Sequence, residues 1–529
     1  MPATRVRHGP RLRPTLAHTR AGYYRRPGGP WDRGAIESTF SVGSGAGIVD
    51  DRGRLDGDAV EASVATLAGR LRAAGVRRGD VVAWQLPNSA PAVVLYRVCW
   101  RLGAIAAPLH HRLGAAEVSG ALDQVSPVLV ISTPDLPASG ITGALTLAAR
   151  RGIEGLVNLF DPAAPVTASS SPARGSDIAV ALFTSGSTGV PKAALHTHRG
   201  LGYKATLMVA IHGLDRHDAV LMPAPLAHVS GLLNGVLLPA TAGIPSVLMA
   251  GWDPDAGLRL IEEERVTFMG APPVFFSQMT ASGGFRAERV ASLRLVSTGG
   301  ASVSPAFVDA TADAFACRVK RTYGSTEAPT VTTSGPDDSL ERARDTDGHA
   351  TGEVEITLHD PATGTLLGPG VAGELWLRGP ELFVGYADAA ATATVVTTPG
   401  RWFRTGDLGV LDDDGWLRVT GRLSDIIIRA GENISASEVE ATLEAHPSVR
   451  HAVAVAVADP DVGERVAAFV ETTAPFDLAA CRAWFAERQV TRFKTPEFVV
   501  TLDALPVLAA GKPDRAALKT MAAGLTATS

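Results

Sequence analysis

An α/β architecture with a largely parallel sheet is predicted by three features of the sequence. Short apolar runs alternate with amphipathic helical stretches over the first four hundred residues, the pattern of strands joined by helices. The apolar runs are continuous, as strands buried on both faces require. Near residue 350 the texture changes to short, alternating, glycine-bounded segments, which read as antiparallel strands. Together they predict a large N-terminal domain of layered sheets and helices, a small antiparallel β-subdomain, and a small α+β C-terminal domain.

The elements follow in order. Residues 1–34 form an arginine-rich lead-in without an apolar core, so it is no secretory signal and reads as a solvated segment. The spacing predicts a helix over 58–75 and strands over 80–86, 127–132 and 178–183. Residues 235–252 are interrupted by Pro239 and Pro245, so they read as a buried helix followed by a strand over 245–251, not as a membrane span. A helix over 253–265 and strands over 266–270 and 293–298 come next. "GEVEITLHD", "GELWLRG" and "GWLRVTGR" supply the antiparallel strands. Beyond a boundary near Asp425, "SASEVEATLEAHP" predicts a helix opened by a capping box of Ser435 and Glu438, and "VRHAVAVAVAD" a strand. The domains expected are therefore 35–424 and 425–529.

Composition sets limits. A chain of 529 residues exceeds one ordinary core. With 46% hydrophobic and 19% charged residues it is globular. A net charge of −5 gives no case for nucleic acid as partner. Cys99, Cys317 and Cys481 lie far apart with no CxxC pair, so no zinc site or disulfide framework is expected, and reduced thiols fit a cytoplasmic protein. Lysine is rare: only Lys192, Lys204, Lys320, Lys494, Lys512 and Lys519 occur, against a large excess of arginine. A slot that keeps lysine then points to a need for a compact donor on a flexible stem.

One stretch stands out as a phosphate loop. The strand "IAVALF" runs directly into Thr184, Ser185, Gly186, Ser187, Thr188, Gly189, Val190, Pro191 and Lys192. Glycines let backbone N–H groups approach an anion, hydroxyls add donors, and Lys192 adds charge. It is not a Walker A loop, because Val190 and Pro191 separate the last glycine from the lysine, and no G-x-S-x-G elbow occurs. Glu327, at a strand end, is a candidate Mg²⁺ ligand, although an isolated loop carboxylate is usually only solvated. Asp407, after the turn of "TGD", can accept two hydroxyl hydrogens of a ribose diol, although a lone turn aspartate is the commoner case. A lone histidine in an apolar run, such as His228, is more often a core residue.

The order of the motifs carries more than any one of them. STGVPK, PLAHVSGL, GGAS, YGSTE, GELWLRG, TGD, GRLSD, GENIS and a terminal GKPDR strongly resemble the adenylate-forming superfamily, which contains acyl-CoA synthetases, carrier-protein adenylation domains and firefly-type luciferases. The resemblance covers nearly all of the chain after about residue 35. It implies that residues 184–192 cradle the phosphates of ATP, that Glu327 binds Mg²⁺, and that Thr326 lies near the α-phosphate. It implies an adenine wall of Gly300, Ala301, Tyr323 and Gly324, and ribose contacts from Asp407 and Arg422. Lys512 resembles the lysine that catalyses the first half-reaction, Asp425 a hinge about which the C-terminal domain moves, and His228 the gate of the acyl site. Lys192, Lys494 and Lys512 all fall in motif slots.

Gly431, Glu432 and Asn433 resemble the loop of the acyl-CoA ligase branch, with Ala430 in place of the usual glycine, so a CoA channel is expected there. The expected reaction consumes a small-molecule carboxylic acid, ATP and CoA. The alternatives are a free-standing carrier protein as acceptor and a non-catalytic adenylate-binding homologue, which the joint presence of Lys512, Glu327 and Asp407 opposes. A homodimer is the candidate assembly. In the family's layout the acyl pocket falls to His228, Val229, Phe275, Phe276 and Gly299, which predicts an apolar or ring-bearing acid.

Overall fold

The computed structural model describes residues 36, 40, 46–133, 135–140, 145–146, 173–184, 191–301, 303–430, 432–459, 461–508 and 512–525. The lead-in, Ser185 to Val190 and Gly431 lie outside them.

Two large sheets carry the first part of the chain. In the nine-stranded sheet, Arg318–Tyr323, Leu295–Gly299, Phe268–Ala271, Val220–Met222, Ser246–Leu248 and Ile48–Asp50 run parallel, with short antiparallel strands at both edges. In the seven-stranded sheet, Ile178–Thr184, Ile105–Leu109, Val81–Gln85 and Leu129–Ser132 are parallel, and Lys192–Thr197 turns back antiparallel beside Ile178–Thr184. The predicted strands are present, with ends shifted by up to three residues. Helices Gly57–Ala73, Ala90–Leu102 and His198–His212 contribute to one apolar core with residues of both sheets, among them Trp84, Tyr96, Trp100, Met222 and Phe268. The polar tips of that core are paired: Tyr96 donates to Leu226 O at 2.7 Å and Trp100 to Ala179 O at 3.1 Å.

Glu355–His359, Gly373–Arg378, Phe403–Leu411 and Leu417–Arg422 form the expected antiparallel sheet. A fourth sheet begins at Ile426–Arg429 and adds Glu432–Ser435, Gly463–Thr472, Val449–Asp459 and the parallel Phe498–Thr501. It has its own core, including Ile427, Val439, Leu443 and Phe485.

One local expectation is corrected. Helix Ala436–Glu444 follows Ser435, but no capping box forms: Ser435 Oγ donates to Thr420 O at 2.9 Å, and Glu438 instead receives Lys494 Nζ at 2.6 Å. Tertiary partners outcompeted the local cap. The helix within 235–252 is shorter than its apolar run, because a π-helical turn, Leu233–Leu237, precedes the α-helical Leu238–Ala242. Such turns often mark functional sites.

Candidate active site

A cleft opens where the parallel strands Phe268–Ala271, Leu295–Gly299 and Arg318–Tyr323 end at their carboxyl edges. Ligand crevices of α/β sheets form at this edge. His228, Val229, Gly299, Gly300, Thr326 and Lys512 all line it. Gly300 takes φ +77°, and a Cβ there would lie 3.7 Å from Lys512 Cε. Gly324 also lines the cleft, and a Cβ on it would strike Thr330 N at 2.4 Å, so the turn after Tyr323 needs glycine. The lysine at residue 512 therefore reaches a cleft built by strands some two hundred residues earlier in the chain.

Beside the cleft is a charged cluster. Asp407 is 2% exposed; its Oδ2 accepts from Tyr323 Oη at 2.7 Å and its Oδ1 meets Arg422 Nε at 2.6 Å. The antiparallel register that pairs Asp407 with Arg422 fixes this contact. Burial pushes the Asp407 carboxyl up, and Arg422 opposes it. Burial pushes the Lys512 amine down, Arg422 adds to that, and Asp407 and Glu327 oppose it. Both Arg422 and Lys512 are exposed to solvent, so their charges are partly screened.

Glu327 is held from two sides. Its backbone O accepts from Phe383 N at 2.8 Å, and its Oε1 accepts from Tyr386 Oη at 2.6 Å. Its neighbour Thr326 is pinned through its backbone O, 2.7 Å from His196 Nε2. No group of three or more histidine, cysteine or acidic side chains that could hold a metal occurs among the described residues. One anchored carboxylate suits Mg²⁺, which is commonly held by one or two carboxylates together with substrate phosphates.

Thr184 and Lys192 are opposite each other at the ends of paired strands, so the predicted phosphate loop spans a hairpin. Its interior, Ser185, Gly186, Ser187, Thr188 and Gly189, lies outside the described residues. Gln124 brackets the far side, with Nε2 on Pro191 O and Oε1 accepting from Ala193 N at 3.1 Å. Lys192 Nζ sits 5.4 Å from the centre of the Tyr386 ring. His228 precedes the short helix Val229–Leu232, with its ring edge-on to His110 at 5.3 Å; burial and the Lys512 charge lower its pKa to about 4. Asp425 Oδ2 lies 3.4 Å from Arg515 Nε, and Arg515 also pairs with Glu440 at 2.6 Å.

Other expected residues fall elsewhere. Phe275 and Phe276 do not line the cleft. Helix Pro273–Ala281 turns them into a separate core, where Phe275 packs on Trp252 at 4.7 Å and Phe276 on Phe315 at 6.1 Å. Ala301 is exposed beyond Gly300. Glu432 is exposed, and Glu432 and Asn433 pair with Arg429 and Ile428 in a hairpin of the fourth sheet, outside the cleft lining; Gly431 is not described. Ala430, before it, takes φ +51°, a conformation that glycine adopts more readily.

Sequence reasoning placed residues 229–236 and 270–279 at the acyl pocket, and Asn234 and Gly270 do line the cleft, but it missed Tyr386, His196, His212 and Ser297. It also left Lys204 and Lys320 without a role. Lys204 is fully buried against Glu381 at 2.7 Å and donates to Thr330 O at 2.9 Å; Lys320 donates to Ser334 O at 2.8 Å. Both are compact donors to buried backbone, the need that a retained lysine signals.

Among the described residues, no helix is long and apolar enough to cross a membrane. The model of the AMP-binding enzyme family matches residues 39–387, and that of the AMP-binding enzyme C-terminal domain matches 438–512. The medium-chain fatty-acid–CoA ligase of Escherichia coli (strain K12) is 33% identical over 487 residues, covering 88% of this chain and 85% of the relative. A feruloyl-CoA synthase of an Amycolatopsis species is 33% identical over 457 residues, covering 85% and 90%. ATP-bound MatB from Rhodopseudomonas palustris superposes with a TM-score of 0.84 at 26% identity, covering 92% of this chain and 98% of that one. With both family models matched in order and the fold shared over most of its length, this chain belongs to the AMP-binding enzyme family.

Proposed function

We propose that the protein is an ATP-dependent, AMP-forming acyl-CoA ligase. Its relatives include CoA ligases for fatty and aryl acids, and the carboxyl-edge cleft supplies the polar groups such a reaction needs. The observation that carries the reading is the meeting of Lys512 with Gly300 and Thr326 in one cleft, next to Glu327, Asp407 and Arg422.

Each half-reaction transfers one group. A carboxylate oxygen of the acid attacks the α-phosphorus of ATP, and pyrophosphate leaves with the electron pair of the broken P–O bond. The thiolate sulfur of CoA then attacks the acyl carbon, and AMP leaves. The first step brings two anions together, so fixed positive charge lowers its barrier. Lys512, on a flexible stem at the cleft, is the donor we assign to the reacting oxygens. Lys192 and the loop before it hold the phosphates. Asp407, anchored by Tyr323 and Arg422, keeps lone pairs free for the ribose hydroxyls. Glu327 holds Mg²⁺, which supplies charge to the phosphates when bound. Asp425 is the hinge between domains 35–424 and 425–529, and the hairpin at Gly431, Glu432 and Asn433 borders the CoA channel.

The decisive experiment is carboxylate-dependent release of pyrophosphate from ATP and Mg²⁺ over a panel of acids, with and without CoA. Acyl-CoA formed in step with pyrophosphate is expected. Pyrophosphate without acyl-CoA would move the acceptor to a carrier protein. No release with any acid would refute the ligase reading. Dependence on ATP and CoA fits a cytoplasmic enzyme, and light scattering decides between a monomer and the homodimer.

A further inference from the structure

The cleft extends inward beyond the residues used above. It follows the parallel strands Phe268–Ala271 and Leu295–Gly299, whose register pairs Phe268 with Leu295 and Gly270 with Ser297. Gly300 and Lys512 stand at the outer end. Asn234 lies over Gly270, where a Cβ would meet its Nδ2 at 3.0 Å. At the inner end His212 packs its ring on Phe268, with centroids 4.8 Å apart. From the Gly270–Ser297 row to Gly300 is three residues, about 10 Å at the rise of a parallel strand.

This inner end carries polar groups without protein partners. His212 is 3% exposed, and its Nδ1 makes no hydrogen bond among the described residues. Ser297 is 6% exposed, and its hydroxyl has no partner among them either. Asn234 makes one weak contact, Nδ2 to Ser230 Oγ at 3.5 Å. All three side chains line the cleft. An alkyl chain threaded here would bury them unpaired, which is costly. A group that both donates and accepts would pair them, because a neutral imidazole, a carboxamide and a hydroxyl can each do either.

Charge narrows the choice further. Among the described lining residues, Lys512 is the one lysine or arginine, and it sits at the outer end. The nearby cations are engaged elsewhere: Arg294 with Asp218 at 2.6 Å, Lys320 with Ser334 O at 2.8 Å, and Lys204 with Glu381 at 2.7 Å. Burial and those three cations also keep His212 neutral. A second carboxylate would find no counter-charge. The walls between the two ends, Gly270, Ala271, Pro272 and Gly299, are small, leaving a slot that suits a planar ring.

We infer that the acyl site selects an aryl carboxylic acid bearing a neutral hydrogen-bonding substituent, hydroxyl or amino, distal to its carboxylate and held by Asn234, Ser297 and His212. This rests on the acyl-CoA ligase reading and names its substrate class. It narrows the apolar or ring-bearing acid expected from the sequence, and Phe275 and Phe276 drop out of the pocket.

The test measures binding and turnover separately, on the full chain. Calorimetric titrations with AMP present use 4-hydroxybenzoate, 4-aminobenzoate, benzoate, octanoate and terephthalate, and pyrophosphate release is followed with the same acids. The hydroxy or amino acid is expected to bind, and to react with kcat/KM about 100-fold above benzoate, because a site built to hydrogen-bond a substituent rejects the analogue lacking it. Asn234→Ala, His212→Phe and the milder Ser297→Ala should each shrink that ratio while leaving ATP affinity unchanged, which also certifies folding. Equal binding of benzoate or octanoate, preference for terephthalate, or no binding of any aryl acid would overturn the inference. Selective binding without pyrophosphate release would uphold it and sink the ligase reading alone.

Discussion

Tyr386 donates its hydroxyl hydrogen to Glu327 Oε1 across 2.6 Å, while the same ring lies 5.4 Å below Lys192 Nζ. One side chain thus touches both the carboxylate proposed for Mg²⁺ and the lysine proposed for phosphate. It is positioned by a two-residue strand, Gly385–Tyr386, paired with Lys192–Thr197. Tyr386→Phe keeps the ring and removes the hydrogen bond. A bond to a charged acceptor contributes about 1.5–3 kcal/mol, so KM for Mg·ATP should rise by roughly 10-fold. Thermal stability should change little. Pyrophosphate release measured over a Mg²⁺ titration checks this, and an unchanged KM would detach Tyr386 from the site.

Lys512→Ala should reduce acyl-adenylate formation by about 10²–10³-fold, the scale for losing one preorganised donor. Thioester formation from supplied acyl-adenylate should stay nearly intact if Lys512 acts in the first step only, as proposed. Single-turnover assays of the two half-reactions separate these effects. Equal losses in both would refute the alternation of the C-terminal domain about Asp425.

Asp407→Ala removes the acceptor fixed between Tyr323 and Arg422. It should weaken ATP binding by at least about 10-fold, as expected when hydrogen bonds to a charged group are lost. Arg422, deprived of its partner, adds uncompensated positive charge beside Lys512 and should not rescue affinity. Titration with ATP in the absence of acid measures this directly. Unchanged affinity would end the ribose assignment.

The sheets were legible because their strands are continuous apolar runs separated by helical patterns. Residues 178–183 and 449–459 are strand throughout, since little but burial decides their fate. The catalytic candidates were legible because they lie in short motifs at strand ends. Ser435 failed as a cap because a distant carbonyl, Thr420 O, competes for its hydroxyl, and no local pattern reports that. Phe275 and Phe276 failed for a related reason: a helix after the right strand has several faces, and the apolar one found a core before it found the cleft. Tyr386 and His212 carried no spacing signal, since each acts through a partner far away in sequence.

His196 is 1% exposed, with Nε2 2.7 Å from Thr326 O, so the ring donates there, and Nδ1 has no partner among the described residues. Burial lowers its pKa from 6.5 to about 4, with Thr326 O and Glu327 opposing the shift. The unfolded chain therefore binds a proton between those values while the folded one does not. Stability is fully present above pH 6.5 and is lost as the pH falls towards 4. A shift of this size corresponds to about 3 kcal/mol for this group alone. His198, fully buried and also lowered to about 4, acts in the same direction. The two histidines should make the melting temperature fall as the pH drops below about 6.5. His196→Gln, which keeps a donor for Thr326 O but cannot be protonated, should make that fall shallower. Melting curves of both proteins across this range decide it: an identical slope in the variant would mean that His196 is not the residue that titrates.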